Sequence, residues 1–153
     1  MRFREQIFTD AAALDETLRA LKIMYLENLQ NQFFIHWCYA NFGFFENVMD
    51  LYAAVYKYVR DNFIYKEDPA NDELLIAPKY MVQIKTGDCD DFALFIKTVL
   101  GVYGVKANYL LAGKTAEGYT HIAVITPEGV IIDGTNEVFN DLPSDYLFRR
   151  IVQ

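Results

Sequence analysis

Gly87-Asp88-Cys89-Asp90-Asp91-Phe92-Ala93 reads as the start of a helix, and the rest of the chain arranges itself around it. Asp88 is a natural N-cap, because its carboxylate can accept from the first free backbone N–H groups. Asp91, three residues on, completes a capping box with Asp in place of Glu. Gly87 is expected to supply an unusual backbone angle just before the helix. Beyond Cys89, the residues Phe92, Phe95, Ile96, Val99 and Leu100 recur at helical spacing, and Gly101 or Gly104 marks the end.

Upstream the texture is helical as well. Asp10 is a plausible N-cap for a helix whose apolar face runs through Leu14, Leu18, Leu21, Tyr25 and Leu29. Gly43 interrupts the next stretch. Helical spacing returns from Phe45 to Phe63 through Val48, Leu51, Val55, Tyr58 and Val59. Lys57 and Arg60 fall near its C-terminus, where cations suit the helix dipole. A polar loop from Lys66 to Asp72 then leads to a short helix through Leu74 and Leu75, expected to stop before Pro78.

Downstream the pattern changes. Ala107 to Ala112 is a short apolar run, and Gly113 to Gly118 is a polar loop. His121 to Thr126 and Val130 to Asp133 are rich in Ile and Val and read as strands. There are no internal repeats. Helices first and strands last predict an α+β fold, with N-terminal helices packed on a small antiparallel sheet.

Bulk properties set the outer bounds. The 153 residues suit a single domain, 1–153. A 53% hydrophobic content can build a core, and 16% aromatic content predicts a Phe/Tyr-rich core or a sticky surface. A net charge of −7 repels phosphate backbones, so nucleic acid is not an expected partner. Two cysteines, Cys38 and Cys89, are too few for a disulfide scaffold, and two free thiols in a reducing compartment are the simpler reading. The polar start at Met1-Arg2-Phe3-Arg4-Glu5 is unlike a signal peptide, and the aromatic stretch from Phe33 to Phe45 is too short and polar to span a bilayer. A cytoplasmic protein without a membrane partner is therefore expected.

The chemistry centres on three residues. Cys89 in a first helical turn would have its thiolate favoured by the helix dipole, and nearby N–H groups could hold an oxyanion. The carboxylates of Asp88, Asp90 and Asp91 oppose that charge, so a cationic partner is needed. A lone cysteine is more often a small buried hydrophobe. Of the two histidines, His36 lies in an aromatic helical stretch and reads as structural, while His121 opens a strand. Asp133 ends an apolar strand and needs a partner to stay charged. Pro127-Glu128-Gly129 fits a type I turn followed by a left-handed bulge residue, pairing Thr126 with Val130. Ala123 then lies opposite Asp133, and His121 and Asp133 become diagonal neighbours on one face. A two-residue turn would separate them. Nucleophile, base and orienting carboxylate are thus all present in order. Zinc held by Cys89, His121 and nearby Asp residues lacks dense ligand spacing. Calcium at Asp68, Asp72 and Glu73 competes with a simple solvated loop. No cofactor or metal is expected.

Three blocks carry a family resemblance: Gly87 to Ala93, Tyr119-Thr120-His121-Ile122-Ala123-Val124, and Ile131-Ile132-Asp133-Gly134-Thr135. Their ordered set resembles transglutaminase-like cysteine enzymes, with bacteriophage and prophage members nearest in look. Tyr58 to Tyr65 and Asp72 to Pro78 resemble the family too, and the likeness runs from about Leu14 to Asn136. It implies a papain-like fold, a catalytic core at 46–136 behind a helical extension at 1–45, and a triad of Cys89, His121 and Asp133. Gly134 stands where many members have Pro, which alters a turn and leaves the triad intact. The family includes crosslinkers, peptidases, amidases and inactive structural domains. A peptidase or amidase acting on a protein or peptide is the expected function. The other expectation is a non-catalytic module on the same fold, partnered by a phage structural protein and virion-associated.

Overall fold

The computed structural model describes residues 11–67, 75–116 and 118–153. Five helices are found there: α1 (Ala11–Leu29), α2 (Gln32–Phe42), α3 (Val48–Asn62), α4 (Pro78–Ile84) and α5 (Cys89–Val102). Strands β3 (Asn108–Gly113), β4 (His121–Ile125), β5 (Ile131–Ile132) and β6 (Phe148–Val152) form an antiparallel sheet in the order β5-β4-β3-β6. A separate two-stranded parallel ladder joins β1 (Ile64–Tyr65) to β2 (Thr86–Gly87). The mixed fold expected from the sequence is the fold observed.

Helix α5 is the centre. Every residue from Cys89 to Leu100 is buried, as befits a helix apolar nearly all round. Helices α1, α3 and α4 and strand β4 pack against it. Phe95 meets Phe34, Trp37, Tyr58 and Phe63 at ring-centroid distances of 6.0, 5.7, 6.0 and 4.8 Å. Most of the aromatic content thus builds the core, with Phe34, Trp37 and Phe63 edge-on to Phe95 and Tyr58 stacked on it. The Phe33 to Phe45 stretch divides between both expectations, since Phe34 and Cys38 are buried while Phe44 is 89% exposed. Leu14, Leu21, Phe34 and Cys38 belong to the same core as Phe92 and Val124, so α1 and α2 are continuous with it.

Local chemistry sets the helix boundaries. Asn31 and Asn47 cap α2 and α3 by accepting from Phe34 N and Met49 N, each at 2.9 Å. Gly43, at φ +70°, ends α2 as expected. Gly104, at φ +83°, follows α5 and is the left-handed terminator, whereas Gly101 lies inside the helix. The expected helix through Leu74 and Leu75 is corrected. Leu74 lies outside the described residues, Leu75 is not helical, and the helix starts at Pro78 instead. Proline lacks an N–H that a first helical residue would leave unused, so it opens a helix as readily as it closes one. Asp10, Asp68, Asp72 and Glu73 also lie outside the described residues.

Strand β6, its ladder to β3, and the β1–β2 pair carry no legible signal in the sequence. β6 carries Arg149 and Arg150 and is mostly exposed, while β1 and β2 have two residues each, too few for a readable period.

Candidate active site

Cys89 is the first residue of α5. Asp88 Oδ1 accepts from Asp90 N at 3.2 Å and Asp91 N at 3.4 Å, and Asp91 Oδ2 accepts from Asp88 N at 3.0 Å. This is the expected capping box. Asp91 Oδ1 also accepts from Ile76 N at 2.8 Å, so one carboxyl ties the preceding loop to the helix start. Gly87 has a role other than the expected backbone angle, because its φ is not positive. A Cβ there would lie 2.7 Å from Asp91 Oδ2 and collide with the cap. Glycine is required for close approach.

The three carboxylates beside Cys89 are all buried. Burial, then the Asp88 carboxylate, pushes the Asp91 carboxyl up to about 8. A proton retained there at neutral pH removes one of the negative charges that oppose a thiolate. Cys89 Sγ lies 4.0 Å from Asp90 Oδ1, and the residue is 1% exposed. Both cysteines are free. Burial in the core pushes the Cys38 thiol up to about 12, which makes it a poor nucleophile.

The predicted hairpin is present with the predicted register. Thr126 N donates to Val130 O, Gly129 sits at φ +86°, and Val124 and Ile125 pair with Ile132 and Ile131. His121, the first residue of β4, and Asp133, just past β5, therefore meet: Nε2 and Oδ2 are 2.7 Å apart. Asp133 Oδ1 accepts from Thr135 N at 2.9 Å and Thr135 Oγ1 at 2.7 Å. Burial works to raise the Asp133 carboxyl, but the His121 and Thr135 donors outweigh it and hold it below the usual carboxylate range. With Nε2 committed to Asp133, Nδ1 is the His121 nitrogen left for proton transfer.

Tyr146 stacks on the His121 ring, with centroids 5.1 Å apart and planes at 21°. Burial raises its hydroxyl, against the lowering effect of the nearby Lys114 cation. A cavity of about 360 Å³ opens beside this group and is lined by His121, Tyr146, Phe63, Tyr65, Phe92, Thr120, Arg60, Gly134, Thr135 and Pro143. His121 lines it directly. On α5 the lining residue is Phe92, one helical turn beyond Cys89. His36 lies on α2, as the helical stretch predicts, and is exposed there.

Three residues of the site went unread in the sequence. Thr135 had a signal, since a Thr two residues after an Asp commonly bonds it in a turn. Arg60 was assigned to the helix dipole, yet its Nη1 donates to Gly134 O at 3.3 Å and its side chain lines the cavity. Gly134 itself admits no side chain, because a Cβ would lie 2.5 Å from Val59 Cγ1. Tyr146 lies in a loop with no periodic or motif signal. Among the described residues, no group of three or more His, Cys, Asp or Glu is placed to hold a metal ion.

A family model for the transglutaminase-like domain matches residues 44–144, about two thirds of the sequence. The chain belongs to the transglutaminase-like domain family. Solved structures agree on the fold of this transglutaminase-like domain. Legionella pneumophila LapG superposes with a TM-score of 0.57 at 18% identity, over 86% of this chain and 79% of LapG. Its calcium-bound form gives 0.55 at 17% identity, over 89% of this chain and 72% of LapG. A candidate cysteine protease from Cytophaga hutchinsonii gives 0.52 at 20% identity. That match covers 68% of this chain, which spans only 37% of the Cytophaga protein. No curated protein sequence matches the chain. Among the described residues, no helix is long and apolar enough to cross a membrane.

Proposed function

We propose that this domain is a cysteine acyl-transfer enzyme acting on amide bonds of a protein or peptide, as a peptidase or amidase rather than a crosslinker. The observation that carries the reading is the buried His121–Asp133 hydrogen bond, anchored on its far oxygen by Thr135. A histidine so held has one nitrogen fixed as donor and the other presented as base. Family membership and the Cytophaga likeness support the same chemistry.

In this mechanism His121 Nδ1 takes the proton of the Cys89 thiol, and the thiolate attacks the amide carbonyl. Backbone N–H groups at the start of α5 stabilise the oxyanion of the tetrahedral intermediate. The imidazolium, balanced by Asp133, gives its proton to the departing amine, leaving a thioester on Cys89. Water, deprotonated by His121, then attacks the thioester. The acid product leaves and the thiol is restored. An amine in place of water would give transfer.

The burial of Cys89 favours a second reading, a non-catalytic binding module on the same fold. Iodoacetamide labelling across pH separates the two, with Cys38 as internal control. A catalytic Cys89 alkylates at pH values well below the free-cysteine pKa of about 8.5, and Cys38 stays unlabelled. Labelling of Cys89 that rises only above that value, or that matches Cys38, supports the module instead.

A further inference from the structure

Resting on the acyl-transfer reading, we propose that Arg60 forms a carboxylate-binding subsite in the cleft beside His121, so that the preferred substrate is an acidic peptide. Arg60 is the one arginine or lysine in the cavity lining among the described residues, and no carboxylate shares that lining. Its hydrogen bond to Gly134 O uses one donor and fixes the side chain. The rest of the planar guanidinium fork is left to bind a carboxylate with two parallel hydrogen bonds.

The surrounding charges are consistent with this role. Two acidic groups, Asp133 and Glu137, act on Tyr56 together with Arg60. Asp133 is already satisfied by His121 and Thr135. Glu137 is exposed and makes no ion pair with Arg60. In a chain of net charge −7, an exposed arginine lining the cleft is a local source of positive charge. Phe63, Tyr65 and Phe92 line the same space with aromatic surface, which suits the apolar body of a peptide rather than a small ion. Gly134 gives Arg60 its acceptor, because a side chain at that position would strike Val59 and move the carbonyl.

The test uses chloroacetyl-capped tripeptide amides that differ only in Glu against Gln, with a third probe carrying Gln and a free C-terminal carboxylate. Alkylation of Cys89 is followed by intact-mass spectrometry in wild type, Arg60→Ala and Arg60→Lys, with folding checked by thermal melting. A charge-assisted guanidinium pair at a partly exposed site predicts that a carboxylate probe reacts about 10-fold faster than its neutral match. The preference should weaken with added salt, persist in part in Arg60→Lys, and fall to within about 2-fold in Arg60→Ala. Preference for the Glu probe assigns the subsite to an acidic side chain, and preference for the free acid assigns it to a chain terminus. Equal rates in wild type, or a preference that survives Arg60→Ala, overturn the subsite while leaving the nucleophile standing. Failure of every probe to modify Cys89 overturns both.

Discussion

Replacing Cys89 with alanine should abolish acyl transfer to any accepted amide or activated ester, a loss of about 10⁴-fold or more in kcat. The prediction rests on the place of Cys89 at the start of α5 and on what the alternatives lack. Cys38 is the other thiol, and its burial against the aromatic core holds it protonated. The substitution removes one sulfur atom from a packed site, so stability should change by only about 1 kcal/mol. The measurement is release of p-nitrophenol from a peptidyl ester by wild type and variant, with urea unfolding in parallel. A variant that keeps its fold and its turnover would show that another group carries the reaction.

The second large effect should come from Asp133→Asn. Asp133 Oδ1 is held by two Thr135 donors, so the asparagine carbonyl oxygen should keep that side. The amide NH₂ must then face His121 Nε2, where the carboxylate oxygen now accepts. A donor there forces the proton of the neutral imidazole onto Nδ1, the nitrogen that must accept from Cys89. The expected loss is about 10³- to 10⁴-fold in kcat with little change in KM. Stability gives an independent readout. The Asp133 carboxyl is lowered in the folded protein, so its contribution is present above the unfolded value and lost as pH falls through the folded value. Wild type should therefore exceed Asp133→Asn in stability near neutral pH, and the gap should close on acidification below about 4. Near-normal kcat in a folded Asp133→Asn protein would remove Asp133 from the mechanism.

Much of this site was legible because it depends on local rules. The capping box follows from the spacing of Asp88 and Asp91. The meeting of His121 with Asp133 follows from the period of a strand and the turn chemistry of Pro127-Glu128-Gly129. A one-residue change in that loop would have put the two on opposite faces. The α+β class followed from the change of texture near Gly104. What escaped was long-range. β6 is recognisable only from its partner β3, since its exposed, arginine-bearing sequence has no alternation to read. Tyr146 reaches His121 from a loop that packs with the buried Leu142 against the sheet, a contact no local pattern announces. Arg60 offered a sufficient local explanation in the helix dipole, which concealed its contact with Gly134 across the chain. Pro78 was misread because the same missing N–H serves at either end of a helix. Gly87 was misread because a glycine before a helix has two uses, and only coordinates distinguish a backbone angle from a close approach.

The account stands most directly on whether Cys89 becomes acylated. The protein is mixed with a peptidyl p-nitrophenyl ester, quenched in acid within the first turnover, and digested for mass spectrometry. The account predicts one acyl group per chain on Cys89, labile to hydroxylamine as a thioester is, and absent from His121→Ala and Cys89→Ala. An acyl group found only on Cys38 or on lysine, or no acyl group while ester is still consumed, would contradict it.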